Sequence, residues 1–236
     1  ICIAWDSIII TAIALAFSLD ALIVIPAALI IVISYYVTTY RSMDLKILKK
    51  INAEPITSGS FPRFENLVEG VCVAHGFRHP GLFIVRDSAP NMIMVGRNSY
   101  HGKLVATTGL LERVTRVELE GLITHELSRT KNRLTLLEST TAILIARPMF
   151  FMPRIVKKIA KKIFDQWVIA ETDMSAVRMT RYPTGLANAL QSLYLDGREP
   201  THNPKFCRHM WVNPPKGGLI PSGFSTQERV VALEEL

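Results

Sequence analysis

A histidine and a glutamate lie side by side at His125 and Glu126, in a stretch whose pattern predicts a helix. In the zinc-peptidase pattern H-E-x-x-H, both histidines lie on one helix face and bind one Zn²⁺, while the glutamate takes a proton from the metal-bound water. Here the position of the second histidine holds Arg129. The pattern is therefore incomplete, and the surrounding residues decide how it is interpreted.

The predicted helix has a defined start and one apolar side. Thr115 and Glu118 form the S/T-x-x-E pattern of a capping box. Apolar residues then recur at helical spacing, at Leu119, Leu122, Ile123 and Leu127. Upstream, the patterns predict one helix over 63–76 and strands over 82–85, 91–96 and 104–107.

The composition excludes several classes of protein. The 236 residues are 49% hydrophobic and 20% charged, which excludes a disordered chain. Three widely spaced cysteines, Cys2, Cys72 and Cys207, exclude a disulfide scaffold and a cysteine zinc finger. The net charge of +7 permits a lipid or nucleic-acid partner. No phosphate-binding glycine loop is present and the basic stretch lacks stacking aromatics, so we expect no nucleic-acid partner.

Residues 1–40 hold most of the apolar excess, and their only charged residues are Asp6 and Asp20. Because a membrane-spanning helix needs about 20 apolar residues, the segment predicts a transmembrane hairpin that turns near Asp20. One long signal anchor and a buried helical hairpin are the alternatives. The basic residues that follow are Arg41, Lys46, Lys49 and Lys50. They predict an integral membrane protein with most of the chain in the cytoplasm, and 41–62 as a basic juxtamembrane linker.

A second membrane-associated segment is predicted over about 137–167. Its first part is apolar but contains Glu138, Arg147 and Pro148. Its second part alternates apolar residues with Lys157, Lys158, Lys161 and Lys162 and ends near Trp167. This pattern favours a helix that lies on an anionic membrane surface. The alternative is the solvated basic face of an ordinary helix.

Taken together, the motifs resemble the HtpX-like family of membrane zinc metalloproteases, of the Glu-zincin type. The matching segments follow in order at 88–96, 104–111, 118–133, 171–176 and 227–233. The resemblance implies an α+β fold, with a mainly helical zincin core and a small β-sheet over 63–236, after the transmembrane hairpin. It also implies that strand 104–108 offers its edge to an extended substrate.

By that resemblance, His125 matches the first zinc ligand, Glu126 the general base and Asp173 the aspartate that supports the ligands. Arg129 replaces the second ligand and Ile169 the third. A guanidinium has no lone pair to offer a metal and keeps its positive charge. It can instead pair with Glu126 on the same helix face. We therefore predict a site that has lost its metal and needs no cofactor.

The alternative is a site that keeps zinc through substitute ligands at Glu171, His202 or His209. Glu171 is two residues out of register with Ile169, a rotation of about 200° on a helix, so it would point away. The two histidines lie in a loop-like stretch from which they could reach His125. We favour the interpretation that both are ordinary surface residues.

Three functions follow from these alternatives. The preferred one is a membrane-anchored pseudoprotease that acts as a binding module or a subunit of a membrane protein complex. The second is an active, atypical zinc endopeptidase of membrane protein quality control, with Glu126 as its base. The third is a purely structural membrane subunit. In all three functions the lipid bilayer is an expected partner. In the first and the third, other membrane proteins are expected partners as well.

Overall fold

The computed structural model describes residues 21–96, 100–131, 135–136, 138–140, 166–218 and 224–236. The chain divides into two compact units, Ile1–Met43 and Asp44–Leu236. In the first unit, Ala21–Arg41 form helix α1, which exposes several large apolar side chains. The first predicted span lies outside the described residues. Within the described ranges, no helix combines the length and the apolarity that a membrane crossing requires.

The second unit is α+β, as predicted. Its strands are β1 (Glu54–Pro55), β2 (Gly81–Val85), β3 (Met92–Val95) and β4 (Lys103–Thr107). Its helices are α2 (Met43–Lys50), α3 (Pro62–His75), α4 (Thr108–Arg113), α5 (Arg116–Lys131), α6 (Gln166–Thr180), α7 (Pro183–Asp196), the 3₁₀ turn Arg208–Met210 and α8 (Thr226–Glu234). The predicted helix at 63–76 and the three predicted strands are confirmed.

The four strands form one mixed sheet in the order β1-β2-β4-β3. β2 and β4 run parallel, whereas β3 is antiparallel to β4 and β1 is antiparallel to β2. The expectation that strand 104–108 offers a free edge is therefore wrong, because β4 is hydrogen-bonded to a neighbour on both sides. The strand beyond it is β3, so a peptide that adds to this side of the sheet would have to pair with β3.

Both faces of the sheet are buried, and this explains why β3 is apolar throughout. Met92 and Met94 pack with the large helical core, while Ile93 and Val95 face a second cluster. That second cluster includes Ile47, Leu48 and Ile51, which lie in or directly after α2. The segment predicted as a linker over 41–62 thus includes a helix that covers the sheet and a short strand that extends it. The sequence did not indicate that α2 packs on the sheet, because the helix has several exposed lysines and its buried face contains only a few apolar residues.

The first turn of helix α4, directly after β4, depends on Gly109. A Cβ at this position would lie 2.1 Å from the Ser88 carbonyl oxygen, so any side chain must displace the backbone. We expect Gly109→Ala to lower the free energy of unfolding by about 1–3 kcal/mol or more, as overpacking does. The matched control is Gly70→Ala in α3, where a Cβ meets nothing within 4 Å. That change should raise stability by about 0.5–1 kcal/mol. Equal thermal shifts for both variants would contradict this account.

Candidate functional site

Helix α5 carries His125, Glu126 and Arg129, the residues of the incomplete H-E-x-x-H pattern. Its start is fixed by the predicted capping box: the Thr115 N–H donates to Glu118 Oε2 at 2.6 Å, and the Glu118 N–H donates to Thr115 Oγ1 at 3.4 Å. The helix then packs against α3, α6, α7 and β3. His125, Glu126 and Arg129 are all buried as a result. Any chemistry at this site therefore takes place away from bulk water.

His125 is held by a buried carboxylate from the neighbouring helix α6. Its Nδ1 lies 2.8 Å from Asp173 Oδ1. Arg229 of α8 donates from Nε and Nη2 to the two oxygens of Asp173, both at 2.8 Å. Burial favours the neutral form of Asp173, but Arg229 and then His125 outweigh it and hold the pKa of this carboxyl below its usual range. Burial lowers the pKa of His125 to about 4, although Asp173 opposes the shift, so the imidazole is neutral at pH 7.

Arg129 forms the centre of a second buried group. Its Nη1 donates to Glu126 Oε1 at 2.6 Å and to the Met210 carbonyl oxygen at 3.0 Å, and its Nη2 donates to Glu138 Oε2. The expected pair between Arg129 and Glu126 is therefore formed. Burial raises the pKa of Glu126 to about 7, against the opposing effect of Arg129. Arg129, one helical turn after His125, thus binds the carboxylate of Glu126.

The residues at this site do not fit a zinc ion. A zinc peptidase supplies three protein ligands and leaves one position open. The residues that the family resemblance predicts at the second and third ligand positions are Arg129 and Ile169, and Ile169 is a half-buried apolar side chain. Among the described residues, no three histidine, cysteine or acidic side chains are grouped so that they could hold a metal. The fixed charge of Arg129 would also repel a divalent cation.

The proposed substitute ligands are dispersed. Glu171 is exposed on α6, in agreement with its predicted register, and His202 is exposed. His209 is different: it is buried in the 3₁₀ turn, so the expectation that it is an ordinary surface residue is wrong. Burial, together with the positive charge of Arg129, lowers the pKa of His209 to about 3. Among the described residues, His209 belongs to no group of side chains that could hold a metal.

The sequence did not assign three of the interactions at this site. In the sequence, Glu138 is only an interruption of an apolar run, yet it is the second carboxylate on Arg129. Arg229 lies in the matched segment 227–233, and nothing in that segment indicates its partner Asp173. The Met210 carbonyl carries no side-chain signal at all. A buried glutamate in an apolar stretch needs a cation, and this was the one signal that could have indicated Glu138.

The predicted membrane-surface lysines, Lys157, Lys158, Lys161 and Lys162, lie outside the described residues. Trp167 lies within helix α6, near its beginning.

Comparison with known proteins gives consistent matches. The family model described as Peptidase family M48 matches residues 59–193. The protein named Protease HtpX homolog from Tropheryma whipplei is 30% identical over 222 residues, covering 78% of this chain and 76% of the relative. Its counterpart from Dictyoglomus thermophilum is 28% identical over 229 residues, covering 84% and 75%. That from Paraburkholderia phytofirmans is 27% identical over 245 residues, covering 89% and 86%.

Proposed function

This chain belongs to peptidase family M48 as an HtpX-like member, and from that premise we propose that it has lost zinc and catalysis. The observation that carries the proposal is the bonding of Arg129, which stands in a ligand position and binds Glu126, Glu138 and the Met210 carbonyl. In this proposal the chain is a pseudoprotease that serves as a binding module or a subunit of a membrane protein complex.

A guanidinium cannot replace the chemistry of the metal. Zinc catalyses hydrolysis by lowering the pKa of a bound water and by polarising the substrate carbonyl. Arg129 has no vacant orbital with which to bind a water, and its permanent charge needs a carboxylate partner. It takes Glu126 as that partner, so the general-base position is engaged in an ion pair. In this proposal Arg129 stabilises the folded chain, whereas a zinc ion in the same site would have catalysed hydrolysis.

The proposal also places the chain in a membrane, with most of it in the cytoplasm. The support is the apolar sequence of 1–40, the exposed large apolar side chains of α1, and the basic residues that follow. The basic segment within 137–167 then contacts the lipid bilayer, and other membrane proteins are the partners of the chain.

One observation favours the alternative, an atypical active metalloendopeptidase. Among the described residues, Glu126 Oε2 is buried without a hydrogen-bond partner, so one oxygen of the remnant base is not engaged. In that alternative Glu126 is the general base and zinc is the cofactor. Proteolysis of a test protein such as casein that disappears on Glu126→Gln would support it.

Metal content per chain separates the two functions. We expect essentially no zinc in the full chain purified in detergent without a metal-binding tag, measured by elemental mass spectrometry. The reason is the missing ligand set at Arg129 and Ile169. The sample must be folded and monodisperse, which circular dichroism and size-exclusion chromatography establish. A value near one zinc per chain would overturn the loss of the metal and direct attention to His209 and Glu171.

A further inference from the structure

A segment of the chain itself lies along the outer edge of β3. Trp211 forms an isolated antiparallel bridge with Ile93. The Val212 N–H donates to the Met92 carbonyl at 2.9 Å, on the side of β3 away from β4. At the end of the segment, Asn91 Nδ2 donates to the Asn213 carbonyl at 2.8 Å. The segment 210–213 therefore pairs with this edge in the manner of an added strand.

The same segment is bound by both arginines of the former metal site. Arg129 Nη1 donates to the Met210 carbonyl at 3.0 Å, and Arg229 Nη1 donates to the Val212 carbonyl at 2.8 Å. Met210, Trp211 and Val212 are at most 1% exposed. Two buried cations thus hold main-chain oxygens of a strand that lies on the sheet edge.

This arrangement places a peptide carbonyl against a buried cation, Arg129, which itself binds Glu126. Polarising a peptide carbonyl is one task of a catalytic zinc ion. Here the cation beside Glu126 is Arg129, and the carbonyl that it contacts belongs to Met210 of the same chain. We propose that 210–213 is an internal pseudosubstrate strand, which fills the extended-peptide site on β3 and which Arg129 fixes in place. The inference rests on the proposed function in one respect: a guanidinium, and not a metal, binds the Met210 carbonyl.

The consequence is that partners cannot bind this chain by adding a strand to β3. The Met92 carbonyl, which an incoming peptide would need as an acceptor, already accepts from the Val212 N–H, and the Met92 N–H donates to Asn91 Oδ1 at 2.9 Å. The segment also contributes Met210 and Trp211 to one buried cluster and Val212 to the other, so leaving the edge would expose apolar surface. A binding function of this chain must therefore use another surface.

Hydrogen exchange of the intact chain tests the strand without any substitution. The Val212 amide should be protected to a degree similar to the Thr107 amide, which donates to Asn91 within the β3–β4 pair. The Ser60 amide, in a turn outside the sheet, provides the reference for weak protection. Exchange at Val212 that is as fast as at Ser60 would overturn the proposal.

Peptide binding tests the occupancy of the edge. The probe is a fluorescein-labelled peptide with the sequence of residues 208–213, RHMWVN. Val212→Pro removes the N–H that pairs with Met92, while Val212→Ala keeps it and serves as the matched control. In detergent, Val212→Pro should bind the probe at least about tenfold more tightly than the wild type or Val212→Ala. Equal binding by all three would overturn the proposal, as would a folded Val212→Pro variant that does not bind.

The outcomes separate this inference from the proposed function. Zinc content is measured on the same wild-type sample as hydrogen exchange. One zinc per chain together with a protected Val212 amide would refute the loss of the metal and leave the strand in place. No zinc together with rapid exchange at Val212 would refute the pseudosubstrate strand and leave the loss of the metal standing. If Val212→Pro does not fold, hydrogen exchange of the wild type decides the proposal alone.

Discussion

Replacing Arg129 with methionine is expected to lower the free energy of unfolding by about 3–5 kcal/mol, the usual cost of removing one partner from a buried ion pair. Methionine retains an apolar stem of similar length but leaves Glu126 and Glu138 without their cation. It also removes the donor to the Met210 carbonyl. Urea denaturation of the detergent-purified chain, followed by circular dichroism, measures the loss.

The matched control removes all three charges. In the triple variant Arg129→Met, Glu126→Gln and Glu138→Gln, no buried charge is left unpaired, so most of the lost stability should return. If the single variant unfolds during purification, the triple variant is compared with the Glu126→Gln variant instead, by yield and by melting temperature. A single variant that loses less than about 1 kcal/mol would show that Arg129 behaves like a surface ion-pair residue.

The loss should also depend on pH. Burial already raises the pKa of Glu126 to about 7 beside Arg129, and Glu138 raises it while Arg229 lowers it. Without Arg129 that pKa rises further, so the folded variant keeps a proton that the unfolded chain releases near the ordinary glutamate pKa. Stability falls with rising pH wherever the folded state binds more protons. The deficit of the variant relative to the wild type should therefore be larger at about pH 8 than at about pH 5.

The sequence predicted the elements whose patterns repeat over several residues, including the helix that carries His125 and Glu126. The capping box at Thr115 and the strand 91–96 needed only local information. The long-range partners could not be found in this way: Arg229 reaches Asp173 across 56 positions of the chain, and no spacing rule connects them. Helix α2 was predicted as linker because its buried face is short, and its role follows only from the second buried face of the sheet.

The same reasoning explains the error at His209. A histidine in a loop-like stretch that contains several polar and basic residues predicts a surface position, and the pattern contains no sign that the loop returns to the sheet. The return is fixed by main-chain pairing at Trp211 and by Arg129, neither of which depends on the type of side chain at 209. Main-chain contacts of this kind are the part of a candidate site that a single sequence does not reveal.

The second large effect should come from restoring the ligand set. In the double variant Arg129→His and Ile169→Glu, we expect close to one zinc per chain, in place of essentially none. His125 already has a carboxylate beside it, because Asp173 Oδ1 lies 2.8 Å from Nδ1, the arrangement that commonly supports a histidine ligand of a metal. Position 169 is one helical turn before Asp173, so a glutamate there projects from the same side of α6. α6 packs directly against α5, which carries positions 125 and 129.

Two controls make the zinc measurement decisive. Ala170→Glu in place of Ile169→Glu moves the carboxylate by about 100° around the helix, so with Arg129→His it should bind markedly less zinc. Adding His125→Ala to the double variant removes the supported ligand and should abolish binding. Thermal melting with and without zinc gives a second readout, because a metal that binds only the folded state raises the melting temperature. A folded double variant with neither zinc nor a thermal shift would mean that Arg129 and Ile169 do not stand in ligand positions, which would remove the main support for a site that has lost its metal.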